Sequence, residues 1–154
     1  MHEAAQNGHL EVVKALTSVV NNKNPKDAYD VTPLHLASHY GHLSIVEHLV
    51  KFVPDINIQT NHYWNKRNPL HYASKEGHLD VVKLLLKSGA NPNLETSNNM
   101  TPLGIALKNK HSDVANYLVN YMYYDQCEHH CTKFPVDCQM IGKYHLLIIK
   151  TIFE

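Results

Sequence analysis

The sequence predicts an all-α solenoid, a stack of helix pairs in which each pair leans on the next. Three observations predict it. A set of columns recurs along residues 1–121 at steps of 33, 36 and 33 residues. Within each block, apolar residues fall at helical spacing in two short runs. Three of the four blocks carry Thr-Pro-Leu or Asn-Pro-Leu where the first of those runs begins. A fixed period of this length marks a repeat architecture, because one helix pair cannot bury its apolar face alone.

The register is set by a glycine. Asn7-Gly8-His9-Leu10 recurs as Tyr40-Gly41-His42-Leu43 and Glu76-Gly77-His78-Leu79, with a weaker copy at Asn109-Lys110-His111-Ser112. Ala4, Ala37, Ala73 and Ala106 share a column, as do Leu16, Leu49, Leu85 and Leu118. The first helix of a block opens at Thr32-Pro33, Asn68-Pro69 or Thr101-Pro102. Thr or Asn can accept a backbone N–H at the N-cap, and proline at the next position loses no needed donor. The glycine supplies the turn that ends it. The second helix points Leu43, Ile45, Val46 and Leu49 inward, or Leu79, Val81, Val82, Leu85 and Leu86, with Glu47, Lys51, Lys83 and Lys87 outside.

Composition narrows the function classes. The chain has 154 residues, 44% hydrophobic and 18% charged. Fourteen basic residues balance fourteen acidic ones, so the basic excess that nucleic acid or an anionic membrane requires is missing. No run is long and apolar enough for a membrane helix, and Met1–Asn7 has no leader pattern. The three cysteines, Cys127, Cys131 and Cys138, leave residues 1–121 without one. A reduced, intracellular monomer without a cofactor is expected. Gly-rich phosphate loops and Gly-x-Ser-x-Gly elbows are absent, so catalysis is not expected.

Thr32-Pro33-Leu34-His35-Leu36-Ala37, the Gly-His-Leu-Asp-Val-Val-Lys-Leu-Leu-Leu run at 77–86 and Gly89-Ala90-Asn91-Pro92-Asn93 resemble the ankyrin repeat. The resemblance implies a curved ankyrin-repeat solenoid of antiparallel helix pairs, with β-turn fingers projecting from one edge. It also implies a binding module for another protein, working through the fingertips and the concave face of the first helices. Residues 1–121 are expected to form the array, with about four repeats and the first one truncated. Residues 122–154 are expected to form an atypical cap or tail, or a decayed fifth repeat, with weak order from about 122 to 140. The mid-repeat start suggests a fragment of a larger ankyrin adaptor or ligase subunit as the alternative. The fourth repeat departs from the pattern at Gly104 and Lys110, as a terminal repeat should.

The 36-residue step places a three-residue insertion in the finger at 58–68. That finger carries His62, Tyr63, Trp64, Lys66 and Arg67, and Trp64 is the chain's one tryptophan. Trp, Tyr and Arg dominate interface hot spots, so this finger is a candidate contact site; the competing reading folds Trp64 back onto its own array. The register adds Tyr29, Val31 and Met100 from the other fingers. It adds His39, Tyr40, Lys75, Glu76, Lys108 and Asn109 from the ends of the first helices.

Thirteen histidines suggest metal, but His2, His35 and His71 share one column and His9, His42, His78 and His111 another. In ankyrin repeats such side chains bond turns and neighbouring units. The tail residues Cys127, His129, Cys131 and Cys138 are weak zinc candidates; free thiols are the favoured reading. Leu49 with Asp55-Ile56-Asn57 is similar to ankyrin contexts where an oxygenase hydroxylates a finger asparagine. A plain turn hydrogen bond is the favoured role for Asn57.

Overall fold

The structure, a computed structural model, describes residues 1–130, with side chains to residue 122. Four helix pairs follow in order. They are α1 (His2–Gln6) with α2 (Leu10–Val19), α3 (Pro33–His39) with α4 (Leu43–Leu49), α5 (Pro69–Glu76) with α6 (Leu79–Lys87), and α7 (Pro102–Lys108) with α8 (Ser112–His130). No strand occurs among the described residues. The first helices α1, α3, α5 and α7 pack side by side in one layer. The second helices α2, α4, α6 and α8 form the other. The solenoid expected from the repeat is therefore the fold. α8 runs on to His130, past residue 121 where the array was expected to give way to a tail.

Local chemistry explains the boundaries. Pro33, Pro69 and Pro102 occupy the first turns of α3, α5 and α7. Asn68 Oδ1 accepts the His71 N–H at 2.9 Å, and Thr101 Oγ1 accepts the Gly104 N–H at 3.2 Å. The first three helix pairs turn at Gly8, Gly41 and Gly77, all at positive φ. A side chain is excluded there for a second reason. A Cβ built on Gly41 would sit 2.7 Å from the His78 ring, and one on Gly77 2.5 Å from His111. Lys110 takes the same left-handed turn in the fourth unit.

The core is the repeated set of columns. Leu34, Leu70, Ala37, Ala73, Val46, Val82, Leu49, Leu85 and Leu118 are fully buried, each between its own pair and a neighbour's. Burying a leucine is worth roughly 1.5–3 kcal/mol, so the interfaces between units, rather than single helices, hold the stack.

Histidine supplies the polar lock in both columns. His35 Nδ1 accepts the Thr32 N–H at 3.1 Å. That leaves Nε2–H to donate to the Ile58 carbonyl at 3.0 Å and to the Arg67 carbonyl at 3.2 Å. His71 repeats the arrangement with Asn68, Leu94 and Met100. His2 bonds the Val31 carbonyl at 3.0 Å. In the other column His42, His78 and His111 reach back to the carbonyls of Gln6, His39 and Lys75, whereas His9 is exposed. These side chains tie units together, as their register implies.

Candidate protein-interaction surface

Two ordinary fingers establish the pattern that the third breaks. In one, the Asp27 N–H donates to the Val31 carbonyl at 2.9 Å, and Asp30 takes positive φ. In the other, the Thr96 N–H donates to the Met100 carbonyl at 3.0 Å, and Asn99 takes positive φ. Both close over four residues. The lengthened finger closes from Thr60 to Arg67 instead, at 2.9 Å, and Lys66 takes the left-handed position. The three added residues therefore lie between Thr60 and Arg67. They wind into a short 3-10 turn, His62–Trp64, that ends on Asn65, also at positive φ. Thr60 braces it: its Oγ1 accepts the Arg67 N–H at 3.0 Å and donates to the Trp64 carbonyl at 3.2 Å.

Backbone bonds join the fingers in a row. The Asn61 N–H donates to the Tyr29 carbonyl, and the Ser97 N–H to the Asn65 carbonyl, each at 3.0 Å. Trp64 leans on Tyr29 with ring centroids 6.0 Å apart and tilted. The ring is thus supported by the preceding finger yet stays 46% exposed. Trp64 thus packs on its own array and keeps one face exposed. Tyr63 is 89% exposed and Tyr29 49%. His62 and Lys66 are exposed, and Arg67 is half-buried.

A second set lies along the first helices. The Arg67 guanidinium sits over the Tyr72 ring, 5.9 Å from its centroid. Tyr72 meets His39 edge-on at 5.6 Å, and His39 meets Tyr40 at 4.7 Å. Glu76 Oε1 lies 2.5 Å from Lys75 Nζ and 3.4 Å from His39 Nδ1. Burial alone would raise the Glu76 carboxyl, but the Lys75 ammonium brings it below its ordinary value, with His39 and His78 adding to the effect. Burial lowers His39, partly offset by Glu76. Tyr40 is 46% exposed.

The remaining expected residues separate from these groups. Val31 is buried at 7% exposure, because its finger position points into the stack where His2 takes its carbonyl. Its side chain offers a partner almost no surface. Met100 is half-buried with its methyl close to Gly104. Lys108 and Asn109 are exposed at the end of α7, apart from the aromatic groups. Tyr72 escaped the sequence reading. Its signal was an aromatic in the column of Leu36 and Ile105.

Asn57 bridges units: its Oδ1 accepts the Asn91 N–H at 2.8 Å. Among the described residues no three His, Cys, Asp or Glu side chains are grouped as a metal would need. Cys131 and Cys138 lie outside the described residues, and Cys127 and His129 fall where side chains are not described. No helix of the described residues is long and apolar enough to cross a membrane.

A family model described as ankyrin repeats (3 copies) matches residues 1–60 and 52–130. The chain belongs to the ankyrin-repeat family. The ankyrin repeat is a non-enzymatic fold that generally binds other proteins. Two curated relatives carry the likeness further. Protein fem-1 homolog A of Bos taurus is 39% identical over 54 residues, 35% of this chain and 8% of that protein. Putative ankyrin repeat protein FPV223 of Fowlpox virus (strain NVSL) is 40% identical over 50 residues, 32% of this chain and 36% of that protein. The matched stretch covers well under half of either relative.

Proposed function

We propose that this ankyrin array is an adaptor, scaffold or inhibitor that holds another protein against its fingertips and first-helix face. One observation carries the reading: the lengthened finger presents Tyr63 and Trp64 outward on a braced turn, with Tyr29 supporting the Trp64 ring. Large aromatic area on a rigid support loses little entropy on binding, which is how interface anchors work. Tyr29, Tyr63, Trp64, Lys66 and Arg67 form the proposed fingertip contact, with His62 beside them. His39, Tyr40, Lys75 and Glu76 form the proposed first-helix contact, and Lys108 and Asn109 its far edge.

The working unit is a monomeric array over residues 1–121 with an atypical C-terminal segment at 122–154, acting inside the cell without nucleic acid. The short share of each relative that matches favours a second reading, in which the same surface serves as one arm of a longer adaptor.

The test compares the intact chain with a Tyr63→Ala, Trp64→Ala, Arg67→Ala variant by proximity labelling in the native cell. Circular dichroism first establishes equal helix content. Loss of a labelled partner from the variant alone is the expected result. An unchanged partner set would remove the finger from the interface and leave the first-helix face.

A further inference from the structure

We infer that the open side of the first unit is a stacking face for a further ankyrin helix pair of the same polypeptide, packed in register ahead of α1. It rests on the reading of the array as one arm of a longer adaptor, and names the end and the residues through which that arm continues.

The three later units show what such a face becomes when a unit lies ahead of it. Val12, Ile45, Val81 and Val114 share a column. Ile45, Val81 and Val114 each have a unit ahead of them and are at most 1% exposed, whereas Val12 is 48% exposed. Leu16 is half-buried where Leu49, Leu85 and Leu118 are fully buried. The polar lock stands open as well. His42, His78 and His111 reach the carbonyls of Gln6, His39 and Lys75 at 2.8, 2.9 and 2.9 Å, in each case one unit back. Each ring also covers the turn glycine of that unit, so closely that a Cβ there would come within 2.9 Å of it. His9 holds the same column, is exposed and finds no carbonyl among the described residues. His9, Val12 and Leu16 meet in one open hollow of about 290 Å³, with Ala4 and Asn7 beside them.

A unit that ends a stack needs a polar outer face, because that face meets water. The outer face of α2 is the reverse. Val12, Ala15, Leu16 and Val19 follow at i, i+3, i+4 and i+7 and form one apolar stripe, on which Val12, Ala15 and Val19 are exposed. Glu11 and Lys14 pair with each other at 2.9 Å off the stripe. By its chemistry the first unit is an internal one. The interfaces already in the stack specify its cover: a backbone carbonyl for His9, a glycine under the ring, and apolar side chains on Val12 and Leu16. A single amphipathic helix would cover the apolar stripe but bring no turn for His9. A unit of the same polypeptide also stacks without the loss of translational freedom that a separate protein must overcome.

A copy of residues 68–102 joined directly ahead of Met1 tests the face. It restores a Thr-Pro start before Met1 and brings a copied Gly77 and Lys75 carbonyl to His9, as the originals serve His111. Urea unfolding of the extended chain should show one transition, at a higher midpoint than the 154-residue chain. In the extended chain Val12→Ala should raise the unfolding equilibrium constant ~10-fold or more, and His9→Ala ~5-fold. In the 154-residue chain both should be nearly silent. A separate transition for the added unit, or variants as silent with it as without it, would overturn the stacking face. The native protein tests the source. Captured from its cell by an antibody to the finger at 58–68, it is read at both termini by mass spectrometry. Peptides of the same polypeptide ahead of Met1, with a glycine turn one period before Gly8, are the expected result. A native chain that extends only beyond residue 154 would overturn the inference and leave the longer adaptor standing. A native chain of residues 1–154 alone would remove both. A separate protein crosslinked over His9 in that chain would assign the face to a partner and overturn the inference as well.

Discussion

His35 and His71 are neutral at pH 7 because burial pushes each imidazole down to about 4. The backbone carbonyls that accept Nε2–H pull the other way and lose to desolvation. The folded value lies below the unfolded one, so between about pH 6.5 and 4 the unfolded chain binds more protons. Stability is then fully present above pH 6.5 and falls as pH drops through that window. The loss is about 2 kcal/mol per histidine by pH 5, and about 3 kcal/mol once pH passes below 4. Urea unfolding at pH 7 and pH 5 checks this. Equal midpoints at the two pH values would mean that the buried imidazoles are not what the array loses in acid.

At the scale of the element, the turn between the two helices of a unit obeys two constraints that separate at the fourth copy. Gly41 needs positive φ and must clear the His78 ring. Gly41→Ala should therefore cost about 2–3 kcal/mol, from left-handed strain together with the His78 hydrogen bond to the His39 carbonyl. Lys110 has the same φ sign but already carries a side chain there. Lys110→Gly should stabilise by about 0.5–1 kcal/mol, the relief of strain exceeding the added freedom of the unfolded chain. Thermal melts of the two variants give opposite signs if this account is right.

Across the whole molecule, a column's energetic weight depends on its neighbours. Val12, Ile45, Val81 and Val114 share one column, yet Val12 is 48% exposed while the others are buried. A linear stack predicts this, because each unit contacts only the next. Val81→Ala should cost about 2 kcal/mol, and Val12→Ala less than about 0.5 kcal/mol. Chemical denaturation of both variants measures the difference. Similar costs would show that the stack does not behave as a sum of neighbour interfaces.

The period, the helix pairs, the proline starts and glycine turns, the two histidine columns and the place of the three-residue insertion are all legible in the amino-acid order. All of these are local or periodic: a cap, a turn or an apolar stripe is decided by residues within one unit, and repetition makes the signal plain. How residues of different units meet emerges from the packing of the stack. That packing set Trp64 against Tyr29, placed Arg67 over Tyr72, engaged Asp27 and Glu76, and buried Val31 although its finger is exposed. The partners of Trp64 and Val31 lie in other units about 30 residues away, and the direction in which a finger side chain points is set by that packing rather than by its own period. Even within one unit, a finger's side chains settle only once the neighbouring fingers hold its backbone. The candidate surface was thus legible as a list of residues, and its arrangement was not.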